Sequence, residues 1–452
     1  MTLETKTLEL LPEAIKILES GFDNLPDFEP KVDLGPIREV LNEVALRMGD
    51  NYPYQHPFYI GQMLKPPHPV ARLAYMLSLW INPNNHALDG GRASSAMEKE
   101  AVAQIARMFG WENSLGHLCS GGTMANLEAL WISKCLNPNG KTLASEQAHY
   151  THNRICGVLG IPFESVPVDS NARMKISELK RALDKGDIST VVATVGTTAT
   201  GSIDPLPEIL RLKEAYGFRV HVDAAYGGYF ILADNLTPRA RATYDLLTEA
   251  DSIVVDPHKH GLQPYGCGCV IFNDPSVGIF YKHDSPYTYF TSSEIHLGEI
   301  SLECSRPGSA AVALWATQRL LPMVKGGEFA TNLENCRRAA LEFFDRIRSD
   351  PRFLTGQTPE LDIVVWSMNA TKASEASKLN DTLFEKAAMA NLHLAKANLP
   401  MGLFRDYWKD FIWDQDHLTC LRSVLMKPES LGWMDPIWNA LSMIVDDVIR
   451  GH

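Results

Sequence analysis

The 452-residue sequence lacks several features that would point to particular classes of protein. It has no Lys/Arg-rich run, and 42 basic against 54 acidic residues give a formal net charge of −12, so we expect no binding to nucleic acid or to an anionic membrane surface. No stretch approaches the roughly 18 apolar residues that span a bilayer. The first residues also lack the basic and then apolar pattern of a signal peptide. We therefore expect a cytoplasmic protein without a membrane segment.

Cysteine is present, but not in the spacing of disulfide frameworks or zinc sites. The eight cysteines are scattered and contain no CxxC pair, which is typical of a reduced, intracellular chain. The histidine pairs His149/His152 and His258/His260 come without the helical or cysteine partners of common zinc sites, so we expect no metal. A Walker A loop, an internal repeat and low-complexity segments are also missing from the sequence.

Hydrophobic periodicity divides the chain into three parts. Residues 1–60 contain two short helical patterns that cannot form a core alone, so we expect this arm to pack on the main body or on a second subunit. Residues 61–325 alternate short β-rich runs with helical patterns, which predicts an α/β domain with a mostly parallel sheet. Residues 326–452 combine a long helix with further strands and helices, which predicts a smaller α+β domain.

Two strand ends carry the most informative residues. Lys259 ends an Asp-Pro-His-Lys tetrad that follows the apolar run 252–255, and Asp223 ends the strand pattern 219–223. Each residue alone has a commoner explanation, as a solvated lysine or as a turn cap. Because ligands bind at the carboxyl ends of parallel strands, however, we expect this amine and this carboxylate to face one site. An amine that can hold an aldehyde as a Schiff base and a carboxylate that can keep a ring nitrogen protonated fit pyridoxal phosphate.

A glycine-rich helix start predicts where an anion binds. Ser-Gly-Gly-Thr at 120–123 precedes a helical pattern, and small residues there leave backbone N–H groups free for a phosphate. A glycine pair before a helix is more often only a tight turn. His149 similarly follows a strand end, where a single histidine is usually structural. The glycine-rich helix start and His149 therefore indicate a functional site only in combination with the other motifs.

In chain order, these motifs resemble the group II pyridoxal-phosphate-dependent amino acid decarboxylases, which have the aspartate aminotransferase fold (fold type I). The resemblance covers roughly residues 90–320, through the segments SGGTMAN, SEQAH, VGTTATGSIDP, HVDAAYGG and DPHK. The spacing of HVDAAYG and DPHK is its most specific part. Ser-Arg-Pro-Gly at 305–308 adds similarity to archaeal tyrosine/aspartate decarboxylases and to sphingosine-phosphate lyases.

The resemblance implies a role for each matched residue. Lys259 would hold the cofactor aldehyde, Asp223 would contact the ring nitrogen, and His149 would stack on the ring near the scissile carboxylate. The remaining cofactor contacts implied by the resemblance are Gly122, Thr123 and His258 at the phosphate, and Thr197 or Thr198 with Ala225 at the ring.

Two further residues are implied at the substrate. Arg422 matches an arginine that helps relatives bind the substrate carboxylate, although a surface arginine on an edge strand is an equal alternative. In relatives, the segment equivalent to 281–302 is a loop whose tyrosine protonates Cα. We expect Tyr289 to have this role, with Tyr287 as the other candidate. Phenylalanine at the key position shifts relatives toward oxidative deamination to an aldehyde, and Phe290 is adjacent.

The resemblance implies decarboxylation of an L-amino acid to its amine and CO₂. We expect a homodimer, because the arm at residues 1–60 cannot bury its apolar faces alone. A carbon–carbon lyase is the weaker alternative, because lyases of the sphingosine-phosphate type usually carry a membrane anchor. Decarboxylation coupled to oxidative deamination also stays open, whereas a non-catalytic cofactor-binding or assembly protein would not need His149, Asp223 and Lys259 together. The aromatic-rich segment 52–59 could line a pocket for an aromatic substrate, and Arg422 or Arg306 could bind an acidic one.

Overall fold

A computed structural model describes residues 3–282 and 296–451. Its helices are α1 (Leu11–Ser20), α2 (Leu34–Met48), α3 (Pro69–Ser78), α4 (Leu88–Met108), α5 (Gly122–Leu136), α6 (Thr151–Leu159), α7 (Ile176–Leu183), α8 (Leu206–Tyr216), α9 (Pro238–Asp245), α10 (Ser309–Leu320), α11 (Glu328–Ser349), α12 (Ala373–Met389) and α13 (Met434–Arg450). Its strands are β1 (Leu115–Cys119), β2 (Lys141–Ser145), β3 (Phe163–Val166), β4 (Ile188–Thr194), β5 (Arg219–Asp223), β6 (Ser252–Val255), β7 (Gly268–Phe272), β8 (Phe353–Thr355), β9 (Ile363–Met368), β10 (Ala395–Pro400) and β11 (His417–Val424).

The larger of two sheets has seven strands in the order β1-β7-β6-β5-β4-β2-β3. Strand β7 runs antiparallel to both of its neighbours, and the other strands share one direction. The central strands β4, β5, β6 and β7 are almost entirely buried, as expected for a sheet with helices on both faces. The predicted α/β class with a mostly parallel sheet is confirmed. In the β5–β6 register Asp223 lies opposite Val254, so the turns after both strands open at the same sheet edge.

The smaller sheet is antiparallel, in the order β10-β11-β9-β8. Helices α11, α12 and α13 cover it through a buried cluster that includes Phe343, Trp366 and Leu383. Ile60 also belongs to this cluster, and Tyr59 forms a β-bridge with His393. Residues near position 60 therefore pack on the C-terminal part, although they come before the larger sheet in the chain. The division of the chain at residue 326 stays a prediction.

Helix α4 begins earlier than its sequence signal suggests. Ser95 and Glu98 have the spacing of a capping box, which predicts a helix start at this point, but the helix begins at Leu88 and bends at Gly91. Ser95 is buried inside the helix. Glu98 instead accepts a hydrogen bond from the backbone N–H of Leu118 at 3.0 Å. Because this carboxylate links α4 to β1, Glu98 does not cap a helix start at Ser95, and the capping prediction was wrong.

The N-terminal arm is helical, as predicted, and α2 has no buried residue. One face of α2 exposes apolar side chains at helical spacing: Ile37, Val40, Leu41, Val44 and Met48 are each 45–63% exposed. Such a stripe normally packs against another surface. Within residues 3–282 and 296–451, no helix, α2 included, is both long and apolar enough to cross a membrane.

Candidate active site

A cavity of about 300 Å³ lies where the carboxyl ends of β4, β5 and β6 meet the first turn of α5. This edge of the sheet is where the sequence places the reactive groups. The predicted site residues that line the cavity are Gly122, Thr123, His149, Asp223, Ala225, His258 and Lys259.

Lys259 extends into this cavity from the turn that follows β6. Its Nζ lies 3.0 Å from Oδ2 of Asp256, whose side chain is 3% exposed. The other carboxylate oxygen of Asp256 is buried and has no hydrogen-bond partner among the described residues. Sequence reasoning missed Asp256 as a functional residue, although it opens the same tetrad. The contact gives the amine a neighbouring proton acceptor.

Asp223 presents a charged carboxylate at the end of β5. Its Oδ2 lies 2.9 Å from Nε2 of His152, and its Oδ1 accepts a hydrogen bond from the backbone N–H of Ala225 at 3.1 Å. Burial alone would raise the pKa of Asp223, but the hydrogen bond from His152 and the electrostatic effects of His152 and Lys259 hold this pKa below its ordinary value. The carboxylate is therefore ionised at neutral pH, as a partner for a protonated ring nitrogen must be.

His149 lies at the mouth of the site, just before α6. Its Nδ1 is 2.8 Å from the hydroxyl of Thr151. Burial lowers the pKa of His149, and the nearby Lys259 acts in the same direction, while Asp223 opposes them. The ring is therefore neutral at pH 7 and can lie against a flat aromatic group without a charge to desolvate.

The first turn of α5 forms the anion-binding end of the cavity. Gly121 precedes the helix and supplies no side-chain cap, so backbone N–H groups of the first turn are left for a ligand. A Cβ atom added to Gly122 would lie 2.7 Å from Oδ2 of Asp256, which is too close. Only glycine fits between the helix start and the turn that carries Lys259. His258 packs beside this end, and burial lowers the pKa of its ring.

The donor set of this cavity fits pyridoxal phosphate. Free N–H groups at a helix N-terminus suit the phosphate, and the ionised Asp223 suits the ring nitrogen. Lys259 lines the same cavity with an amine suited to an aldehyde.

Thr197 is placed differently from the other predicted cofactor residues. Its hydroxyl lies 2.8 Å from Oγ1 of Thr200 and accepts a hydrogen bond from the N–H of Ser202 at 3.0 Å. Thr198 lines the cavity in its place. The predicted proton donor Tyr289, like Tyr287, lies outside the residues that the structure describes.

Arg422 is buried, with 6% of its surface exposed. It lies on β11, which has a neighbour on each side in the smaller sheet, so the alternative of a surface arginine on an edge strand is wrong. Its guanidinium donates to the carbonyl oxygen of Thr198 at 2.9 Å and also to the side chain of Gln62. Arg422 therefore supports the loop that lines the cavity. The other candidate, Arg306, is engaged with Glu98 at 2.8 Å.

His260 also departs from what its position beside Lys259 suggests. Its buried ring packs against Tyr226 and Phe230, with ring centroids 4.8 and 5.0 Å apart, respectively. It does not line the active-site cavity. Adjacent residues of the turn thus face opposite sides. Sequence reasoning also missed His152, which contacts Asp223 of the site.

Comparisons with known proteins agree with this geometry. Residues 55–369 match the family model described as the pyridoxal-dependent decarboxylase conserved domain. The chain is 26% identical over 490 residues to an L-tyrosine decarboxylase of Enterococcus faecium, covering 84% of this chain and 80% of the relative. It is 27% identical over 337 residues to a probable L-tyrosine/L-aspartate decarboxylase of Methanococcus maripaludis, covering 72% and 85%.

The fold is shared with solved structures of lower sequence similarity. One example is the crystal structure of Catharanthus roseus tryptophan decarboxylase in complex with L-tryptophan. It superposes on this chain with a TM-score of 0.76 at 16% sequence identity, and the match covers 98% of this chain and 97% of that one. The predicted fold type, cofactor and reaction class are confirmed. The chain belongs to the pyridoxal-dependent decarboxylase family and is a pyridoxal-phosphate-dependent amino acid decarboxylase.

Proposed function

We propose that the enzyme decarboxylates L-tyrosine, with L-aspartate as the second substrate to test. The names of the bacterial and archaeal relatives support this choice. The segment 52–59 gives no separate support, because the Tyr54 and Tyr59 rings pack on each other at 4.9 Å and Tyr52 packs on His393 at 4.9 Å. Tyr52, Tyr54 and Tyr59 do not line the active-site cavity.

Each residue at the cavity has a different role in the proposed reaction. The bound cofactor supplies an electron sink for the bond between Cα and the carboxylate. Asp223 would stabilise a positive ring nitrogen, and His152 keeps that carboxylate oriented and ionised. The N–H groups at the start of α5 would hold the phosphate, and neutral His149 would cover the ring face. These contacts are preorganised, so they stabilise developing charge without rearrangement.

Asp256 has a proposed role in proton transfer at Lys259. A lysine amine must lose a proton before its nitrogen can attack a carbonyl carbon. Oδ2 of Asp256 lies 3.0 Å from Nζ, within reach for accepting that proton. The second oxygen of Asp256 is buried without a partner in the described part of the chain, and it can accept a further hydrogen bond when the site is filled.

Measuring all products tests the proposed reaction. The purified protein with pyridoxal phosphate is incubated with each of the twenty amino acids, and CO₂, amine, aldehyde and hydrogen peroxide are measured. CO₂ with tyramine from L-tyrosine supports the proposal. CO₂ with aldehyde and peroxide identifies an oxidative deaminase, and aldehyde without CO₂ identifies a carbon–carbon lyase. A yellow protein that releases no product would contradict catalysis.

We propose that Tyr289 returns the proton to Cα, as the sequence resemblance implies. Tyr289→Phe is then expected to lower amine formation and to raise the share of aldehyde and peroxide. Tyr287→Phe is the matched control, because it removes a hydroxyl from the same segment. A change of products in the Tyr287 variant alone would assign the role to Tyr287.

We also propose that the enzyme is a homodimer. The apolar stripe on α2 supports this, because a second subunit would cover it. Light scattering is expected to give about twice the chain mass of 50.3 kDa. Leu41→Glu with Val44→Glu should favour the monomer, whereas Glu39→Lys on another face of the helix should not. A monomeric unmodified protein contradicts the proposal.

A further inference from the structure

A second cavity, of about 920 Å³, lies behind the turn that carries Lys259. It is bounded by the N-terminal segment, the start of α3, helix α11 and the segment after β11, and it shares no lining residue with the active-site cavity. Much of its wall is apolar, formed by Leu8, Met76, Leu262, Phe329, Leu333 and Trp433. No step of the proposed reaction uses this cavity.

Two lysines, Lys65 and Lys427, reach into this cavity. Lys427 is 5% exposed and donates to the carbonyl oxygen of Tyr59. Nζ of Lys65 donates to the carbonyl oxygen of Met426 at 3.1 Å. In residues 3–282 and 296–451, neither ammonium group forms a salt bridge with a carboxylate, and the acidic groups that act on them do so only through longer-range electrostatics. An ammonium group has three N–H donors, so both lysines can donate to a ligand.

The surroundings of the two lysines disfavour their positive charges. Burial lowers the pKa of Lys65. Burial and the charge of Lys65 lower the pKa of Lys427 to about 7, although Glu429 acts in the opposite direction. The acidic side chains that line this cavity, Glu4, Glu328 and Glu429, are exposed, so water screens their charges. Asp362 is buried behind this wall and also acts on Lys65, but its carboxylate is engaged with Nε2 of His260 at 3.1 Å and with the hydroxyl of Tyr226 at 2.7 Å.

We propose that this cavity binds an organic carboxylate, with its charged group between Lys65 and Lys427 and its apolar body on the surrounding walls. A carboxylate would supply the negatively charged acceptor that neither ammonium group has among the described residues, through charge-assisted hydrogen bonds. The volume is far larger than an inorganic anion needs, and apolar walls with a few polar groups are typical of small-molecule sites.

This second cavity also adjoins the turn that carries Lys259. His260 and Leu262 belong to its wall and follow Lys259 in the same turn. Leu262 has a φ of +66°, which is rare for a residue with a Cβ atom. Its carbonyl oxygen accepts a hydrogen bond from the N–H of His68 at 2.9 Å, which holds this conformation. A bound carboxylate would thus lie against the back of the turn that presents the reactive amine.

Calorimetric titration of the cofactor-loaded protein with octanoate tests the proposal. We expect saturable binding of one octanoate per chain, and at least tenfold weaker binding of uncharged 1-octanol. Lys427→Met and Lys65→Met should each weaken octanoate binding about tenfold or more. Lys427→Gln keeps a donor for Tyr59 without the charge, and it replaces the methionine variant if that variant fails to fold.

Lys325→Met is the matched control, because Lys325 is exposed and lies outside this cavity. Its octanoate affinity should equal that of the unmodified protein. No saturable binding, or equal affinity in the unmodified protein and the Lys427→Gln variant, would overturn the proposal. Neither result would bear on decarboxylation, since the tested residues lie outside the catalytic cavity.

Discussion

Replacing His152 by phenylalanine tests how the enzyme keeps Asp223 ionised. The side chain of His152 is fully buried and donates to Oδ2 of Asp223 at 2.9 Å. Phenylalanine fills most of the same space but donates no hydrogen bond. The variant therefore leaves a buried carboxylate with one donor fewer.

The expected loss follows from the charge on the acceptor. A hydrogen bond to a charged group contributes roughly 1.5–3 kcal/mol, so the free energy of unfolding of the cofactor-free protein should fall by about this amount at pH 7. The pKa of Asp223 is lowered in the folded state. Its stabilising contribution is accordingly present above the unfolded pKa of roughly 3.9, and it is lost as the pH falls through the lower folded value. At pH 7 the stabilising contribution of Asp223 is therefore fully present.

Urea unfolding of four proteins separates this interaction from the packing of the ring. The set contains the unmodified protein, His152→Phe, Asp223→Asn and the double variant. We expect His152→Phe to cost about 1.5–3 kcal/mol with Asp223 present and much less in the Asp223→Asn background. His152→Gln, which retains an N–H donor, should recover part of the loss. An equal cost of His152→Phe in both backgrounds would refute the electrostatic explanation and leave only packing.

Three further variants test other parts of the site. Gly122→Ala should weaken cofactor binding at least tenfold in equilibrium dialysis, because its Cβ would lie 2.7 Å from Oδ2 of Asp256. The control Gly157→Ala, with no atom within 4 Å of its Cβ, should bind the cofactor normally, and equal affinities of the two variants would contradict the close fit at Gly122. Arg422→Met removes a donor to the carbonyl oxygen of Thr198 and should raise KM about tenfold while changing kcat less in steady-state assays; an unchanged KM would contradict the support of the cavity-lining loop by Arg422. Lys259→Ala should lose the visible absorption of the lysine-bound cofactor on dialysis, and a retained band would refute its role.

The sequence predicted those parts of the site that depend on local pattern. Asp223 and Lys259 each end or follow a strand, and adjacent parallel strands bring such positions together at one edge. Their placement required only the order of elements along the chain. The same reasoning placed Gly122 at a helix start and His149 after β2.

Residues whose roles depend on distant contacts could not be predicted. His152 contacts Asp223 across 71 positions of sequence, and no local pattern indicates that pair. The burial of Arg422 depends on the strands that flank β11, which its own segment does not specify. The choice between Thr197 and Thr198 depends on hydrogen bonds inside one loop. In α4, Glu98 binds partners from other elements, so its local capping signal was misleading.

Mapping the attachment of the cofactor tests the central claim most directly. The protein loaded with pyridoxal phosphate is reduced with borohydride, digested and analysed by mass spectrometry. The account predicts a pyridoxyl phosphate adduct on the peptide that contains Lys259, and on that lysine within it. An adduct confined to another lysine, or a loaded protein that gives no adduct, would contradict the assignment of this site.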